Sequence, residues 1–153
     1  MNDRIKQYFK ELDKYRNLST IDDELMFSAI TEEIIKMKEP ETIPLLLDYF
    51  DDNIRAGDIT FQHLENDMDY FNPSDYIPCL LIHLKNMIKK AMNESGYLLS
   101  HLFNFPEKLK ILKENIHLAD KESLLKLLNY LEEDDCPKPH KPIIAELRKM
   151  VNK

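Results

Sequence analysis

The sequence contains only two glycines, Gly57 and Gly96, along with two cysteines and no tryptophan, in 153 residues. Average usage would place about ten glycines in a chain of this length. Phosphate-binding loops and tight β-hairpin turns both depend on glycine, so its scarcity argues against nucleotide-binding α/β folds and hairpin-rich β folds. Two cysteines in unrelated contexts do not make a disulfide framework, and reduced thiols are expected.

Long apolar runs are also missing. No stretch approaches the roughly 20 apolar residues that a membrane-spanning helix needs, and the first residues, MNDRIKQYFKELDKYR, lack the apolar region of a secretory signal. We therefore expect a cytoplasmic protein with no membrane partner. Apolar residues make up 43% of the chain and charged residues 32%, which is enough to bury a core, so a single domain over residues 1–153 is predicted.

Apolar residues recur at helical spacing along almost the whole chain. The first segment has one apolar stripe with lysines and acids opposite, formed by Ile5, Tyr8, Phe9, Leu12 and Tyr15. The apolar positions of a second helix are Leu25, Phe27, Ile30, Ile34, Ile35 and Met37, and its candidate caps are Ser19, Thr20 and Asp22. Further helices are predicted near 60–71, 95–105, 107–117, 120–133 and 140–151, with Ser95 and Asp120 as caps.

A weak internal repeat accompanies two of the prolines. The motif Ile43-Pro44-x-Leu46-Leu47 recurs 34 residues later as Ile77-Pro78-x-Leu80-Leu81. That offset is the length of a helical-hairpin repeat. The sequence therefore predicts an all-α fold of antiparallel helical hairpins, either a HEAT-like array or a compact multi-helix bundle.

The net charge of −7 is concentrated in one segment. Residues 39–77 contain ten acids and one base, a net charge of −9, whereas the rest of the chain holds 18 acids and 20 bases. Carboxylates interleaved with aromatic side chains suit a basic protein partner and would repel nucleic acid. An acid-rich segment can also be ordinary solvated surface, and some of its aromatic residues must fill the core.

The candidate contacts for such a partner come from this acidic segment. They are Asp51, Asp52, Asp58, Glu65, Asp67 and Asp69 as carboxylates, with Tyr70 and Tyr76 as anchors. Their role is to pair with arginine or lysine and to supply compact apolar contact area.

No residue pattern indicates catalysis or a bound cofactor. The chain has no GxSxG, Walker, HExxH or paired-cysteine motif. Cys79 with His83, and Cys136 with His140, have a spacing that a Cys2His2 zinc site could use. Cys79, however, lies in an apolar stretch, where a free cysteine is usually packed in the core. We expect no catalytic residues, no metal and no cofactor, and therefore a binding protein.

About half of the chain, from residue 61 to 135, resembles the immunity proteins of bacterial polymorphic-toxin and contact-dependent growth inhibition systems. The resemblance is to a HEAT-like all-helical group catalogued as immunity protein thirty. It runs through Phe61-Gln-His-Leu-Glu65, Met68-Asp-Tyr-Phe71, Tyr76 to Leu84, Tyr97-Leu-Leu-x-x-Leu-Phe-Asn104 and Leu124-Leu-Lys-Leu-Leu-Asn-Tyr-Leu131. The resemblance implies a cytoplasmic antitoxin that binds a cognate toxin domain, often a nuclease, and blocks its active site or substrate surface.

The alternative is a helical-repeat scaffold or adaptor that binds a peptide or protein in a groove, with no toxin involved. Genomic neighbourhood separates the two hypotheses, because the gene of an antitoxin should follow a large toxin gene.

Overall fold

The computed structural model describes residues 1–54, 58–133 and 135–153. Within those residues the chain forms nine α-helices and no strands, which confirms the all-α prediction. The helices are α1 (Asp3–Asp13), α2 (Ile21–Lys36), α3 (Ile43–Leu47), α4 (Asp58–Asp67), α5 (Pro73–Met87), α6 (Met92–Leu102), α7 (Pro106–Glu114), α8 (Lys121–Glu133) and α9 (His140–Val151). None of them is long and apolar enough to cross a membrane.

Polar side chains begin some of the helices where the sequence predicts them. The Thr20 hydroxyl accepts a hydrogen bond of 3.1 Å from the backbone N–H three residues later, and the Asp120 carboxylate accepts an equivalent bond of 3.0 Å. The prediction of Ser95 as a cap is wrong, because α6 begins at Met92 and Ser95 is buried inside it. The first turn of α6 is capped by a distant carboxylate, described below.

The helices pack as expected for an array of helical hairpins. α2 packs against α4, α3 against α5, α5 against α7, and α6 against α8, so each of these helices contacts the next but one along the chain. At the two ends, α1 packs on α2 and α9 packs on α8. Stacking between corresponding helices of successive hairpins is how such arrays bury a continuous core.

The internal repeat marks two of the helices that stack. Its first copy forms α3 and its second copy lies in the first half of α5, and these two helices pack on each other. The isoleucine and leucines of both copies are buried: Ile43, Leu46, Leu47, Ile77, Leu80 and Leu81. The repeated motif is therefore explained by two equivalent core contacts.

An aromatic cluster holds α2 beside α4. The ring of Phe27 on α2 lies edge-on to Phe61 on α4 with 6.3 Å between centroids, and Phe61 is 5.7 Å from Phe50. All three rings are fully buried. Leu25, another of the apolar positions that predicted this helix, is 65% exposed, because it lies on the opposite side of α2 from Phe27.

Candidate protein-binding surface

Asp48, in the acidic segment 39–77, is neutralised within the fold. One carboxylate oxygen lies 2.8 Å from a guanidinium nitrogen of Arg16, and the other lies 3.3 Å from Nζ of Lys90. Lys90 also donates a hydrogen bond to the backbone carbonyl of Asp48. Partial burial pushes the pKa of Asp48 upward, but the two cations outweigh it and hold the pKa below its ordinary value. This carboxylate is therefore committed to joining three parts of the chain.

Two predicted contact residues, Asp51 and Asp52, have structural roles. The Asp52 carboxylate accepts hydrogen bonds from the backbone N–H groups of Asn93 and Glu94, at 2.8 and 3.3 Å. These N–H groups lie in the first turn of α6 and have no partner within the helix, so Asp52 caps α6 from another part of the chain. The Asp51 carboxylate accepts a bond of 2.9 Å from the Asn53 N–H and shapes its own turn.

Asp69 is also neutralised. Its carboxylate lies 2.7 Å from Nε2 of His101 and 3.1 Å from Nζ of Lys108. The His101 ring stacks on Tyr97 and meets the edge of Phe105, with centroid distances of 6.1 and 5.2 Å. The expectation that Asp69 offers a free carboxylate to a partner is therefore wrong, because α6 and α7 already supply its cations.

Two further candidates belong to the core. Glu65 and Tyr76 are each only 4% exposed, so neither can be a contact for a partner on this surface, and both predictions are corrected. One carboxylate oxygen of Glu65 has no hydrogen-bond partner within the described part of the chain. Burial raises the pKa of the Tyr76 hydroxyl well above its ordinary value. The side chain of Asp58, another candidate, lies outside the described residues.

The remaining candidates, Asp67 and Tyr70, lie along a groove between α2 and α4. The two helices run in the same direction, because the Glu24 carboxylate meets the Thr60 hydroxyl at 3.4 Å near both helix starts, while Glu32 and Asp67 line one depression near both helix ends. We call this surface the α2–α4 groove. It is lined by Ile21, Glu24, Leu25, Ser28, Ala29, Glu32, Ile35, Lys36, Lys38, Ile59, Thr60, His63, Asp67 and Tyr70.

The N-terminal end of the α2–α4 groove is apolar. Ile21, Leu25 and Ile59 are 75%, 65% and 69% exposed and line a single depression of about 440 Å³. Isolated exposed apolar residues are common on protein surfaces, but three large aliphatic side chains around one depression form a patch of the kind that marks interaction sites.

The C-terminal end of the groove is acidic and aromatic. Glu32, Asp67 and Tyr70 line a depression of about 430 Å³, and Tyr70 is 65% exposed. Neither carboxylate makes an ion pair with any described residue. Partial burial and the neighbouring charge of Glu32 raise the pKa of Asp67, although His63 opposes them. The two carboxylates thus repel each other in a partly desolvated site.

Two lysines also line this acidic end. The Lys36 ammonium is engaged at 3.1 Å by the Glu33 carboxylate on the same helix. Lys38 follows α2, where its positive φ of 52° turns the chain out of the helix. Lys38 makes no ion pair with a described residue, and it lies at the edge of the groove's acidic end.

Sequence reasoning found only the α4 side of this groove. It did not single out Ile21, Leu25, Glu32 or Ile59 as surface residues, since it counted charge by segment and used Leu25 only as an apolar position of the second helix. One signal could have found them. Ile21, Leu25 and Glu32 fall on one helical face at spacings of four and seven, and that face differs from the one carrying Phe27.

The cysteine and histidine pair on α5 makes its contacts within its own helix. The Cys79 sulfur lies 3.7 Å from Nδ1 of His83, but that nitrogen is 2.8 Å from the Cys79 carbonyl oxygen. Burial raises the pKa of the Cys79 thiol to about 11, which disfavours the thiolate that metals bind. Among the described residues no group of three or more His, Cys, Asp or Glu side chains is placed to hold a metal ion.

No protein-family model matches this chain, and comparisons with curated proteins and with solved structures found no match either.

Proposed function

We propose that this protein is an immunity protein that binds and neutralises a cognate bacterial toxin domain with a basic surface, and that the α2–α4 groove makes the central contact. The proposal rests on the resemblance of residues 61–135 to immunity proteins and on one structural observation. Exposed aliphatic side chains and carboxylates without cation partners line the same groove. Apolar area together with negative charge on one surface suits a cationic protein partner.

The two chemistries of the groove have separate functions in binding. The aliphatic residues Ile21, Leu25 and Ile59 supply apolar area that is removed from water in a complex, which favours affinity. Glu32 and Asp67 attract a cationic surface over longer distances and raise the association rate. A toxin that acts on nucleic acid carries a basic surface because it binds phosphates, and the groove is complementary to such a surface.

The test is coexpression of this chain with the toxin domain encoded by the neighbouring gene. We expect the chain to restore growth of cells that express the toxin and to purify in a complex with it. Leu25→Asp should weaken the complex, since it places a charge in the apolar end. Ile82→Asp is the matched control, because Ile82 is 54% exposed on α5, away from the groove. The absence of both growth protection and a complex would refute the proposed function.

A further inference from the structure

The α2–α4 groove has the length and shape of a helix-binding surface. α2 contributes 16 residues, which correspond to about 24 Å at 1.5 Å per residue. α4 lies alongside it in the same direction, and the two depressions between these helices share Glu32 in their lining. α4 contributes only 10 residues, about 15 Å, so the part of the groove with two walls is long enough for about three turns of a partner helix.

The backbone of the groove limits what can bind there. The N–H and C=O groups of α2 and α4 are used within the helices, so a partner strand would find no ladder of free donors and acceptors to pair with. A partner segment that satisfies its own backbone avoids that cost, and the α-helix is the element that does so. The groove therefore favours a helix over an extended peptide.

The side chains of the groove follow the periodicity of a helix contact. On α2 the groove-lining positions are Ile21, Leu25, Ser28, Ala29 and Glu32, at spacings of three and four. Small side chains in the middle of this stripe allow close approach, while larger aliphatic ones stand at its start. Ridges on a partner helix with the same period can fit between them.

Charge then specifies the polar part of the partner. Glu32 and Asp67 line one depression, and neither makes an ion pair with a described residue. The exposed ring of Tyr70 lines the same depression. A guanidinium group suits this place because it is planar, binds carboxylates through two N–H groups and stacks on aromatic rings. Lys36 pairs with Glu33 and also interacts with Glu32, and Lys38 lies at the rim, so these two lysines are the opposing charges that the arginine must outweigh.

From these observations, and resting on the proposed function, we infer that the toxin element bound in the α2–α4 groove is a basic amphipathic α-helix. Its apolar residues cover Ile21, Leu25 and Ile59, and an arginine enters between Glu32 and Asp67 beside Tyr70. The partner is thus recognised by a hydrophobic stripe followed by an arginine on one helical face.

Synthetic peptides of 16 residues, the length of α2, test this inference on the full chain. The probe carries leucines at helical spacing followed by arginine on the same face. One control peptide has the same composition in scrambled order, and another replaces the arginines with glutamine. Binding is measured by fluorescence anisotropy, and the site is mapped from backbone amide shifts in the labelled protein.

We expect the amphipathic probe to bind about tenfold more tightly than the scrambled peptide, which corresponds to one well-formed apolar contact. Amide shifts should concentrate in residues 21–36 and 58–70. Leu25→Asp should weaken binding about tenfold, whereas Ile82→Asp should not. Glu32→Gln combined with Asp67→Asn should remove the preference for arginine over glutamine and flatten the salt dependence. The control pair, Glu107→Gln with Glu122→Gln, removes two exposed acids elsewhere and should leave both unchanged.

Equal affinity for the scrambled peptide, or shifts outside the two helices, would overturn the inference. So would self-association of the free chain that Leu25→Asp abolishes, because the groove would then be occupied by a second copy. Growth protection is read separately in the coexpression assay. A chain that protects cells but does not discriminate the peptides keeps the proposed function and loses only the helix-binding mode.

Discussion

Two regions of the molecule differ in whether their carboxylates have partners on other elements. One is the α2–α4 groove. The other, which we call the junction, lies where the acidic segment meets α5 to α7. In the junction, Asp48, Asp52 and Asp69 each have partners on distant elements. In the groove, Glu32 and Asp67 make no ion pair with any residue that the structure describes. The acidic composition of one segment is thus divided between holding the fold together and leaving charge available at its surface.

This difference shows that local charge density is a poor guide to a binding surface. Of the ten acids in residues 39–77, Asp48 and Asp69 are balanced by cations from outside the segment, and Asp52 is bound by backbone N–H groups of α6. The free charge in the groove depends equally on Glu32, which lies before the segment begins. A surface potential belongs to a folded arrangement, and its sign and extent are set by which elements are neighbours.

The two tyrosines of the acidic segment give the largest contrast between these regions. Tyr76 is 4% exposed in the core near the junction, whereas Tyr70 is 65% exposed at the end of the groove. We expect Tyr76→Ala to lower the free energy of unfolding by about 3–5 kcal/mol through the cavity it leaves. Tyr70→Ala should change it by less than about 0.5 kcal/mol. Urea denaturation followed by circular dichroism measures both.

Because Tyr76→Ala can fall below the limit of stable folding, Tyr76→Leu serves as the second variant, and a smaller loss of the same sign is expected from it. Similar losses for Tyr70→Ala and Tyr76→Leu would contradict the assignment of these residues to different regions.

The fold was accessible from the sequence, whereas the division of the acids was not. Helical periodicity gave the all-α class, and the repeated Ile-Pro-x-Leu-Leu motif corresponds to α3 and α5, which stack on each other. These features depend on residues close in sequence. Asp48 pairs with Lys90, 42 residues away, and Asp69 pairs with Lys108, 39 residues away. Local sequence patterns therefore could not predict these pairs.

The exposure of Leu25 could not be predicted from the sequence for a related reason. The spacing of α2 allows an apolar stripe through either Phe27 or Leu25, and the positions of α1 and α4 decide which face is buried. Phe61 of α4 packs against Phe27, which leaves Leu25 in the groove. Tertiary packing therefore determines which of the two faces of α2 is buried, because the apolar spacing of the sequence is compatible with either.

The substitutions Asp69→Asn and Asp67→Asn should differ in their effect on the free energy of unfolding, by less than the two tyrosine variants do. Asp69→Asn removes the charge that holds His101 and Lys108, whose side chains are 26% and 19% exposed. It should lower the free energy of unfolding by about 1.5–3 kcal/mol, the usual range for a hydrogen bond to a charged group. Asp67→Asn should leave it unchanged or raise it slightly, because the burial of Asp67 and the repulsion from Glu32 together outweigh the attraction of His63. Equal destabilisation by both variants would remove the distinction between junction and groove.

The smallest expected effect is a difference in pH dependence between Asp48 and Asp67. The pKa of Asp48 lies below its ordinary value of 3.8 in the folded protein, so its ionised form stabilises the fold above that pH. This stabilisation is lost as the pH falls through the folded pKa. Asp48→Asn should therefore destabilise the protein near neutral pH, and the difference from wild type should shrink at strongly acidic pH.

For Asp67 the ionised form has the opposite effect on stability. Its pKa lies above 3.8 in the folded protein, so the ionised form costs stability above the folded pKa, and the cost disappears as the pH falls towards 3.8. Asp67→Asn should be slightly stabilising near neutral pH, and its difference from wild type should vanish at a higher pH than that of Asp48→Asn. Urea denaturation across the acidic range measures both differences. If both variants lower the free energy of unfolding near neutral pH, other groups of the fold stabilise the charge of Asp67. That charge would then not be available to a cationic partner.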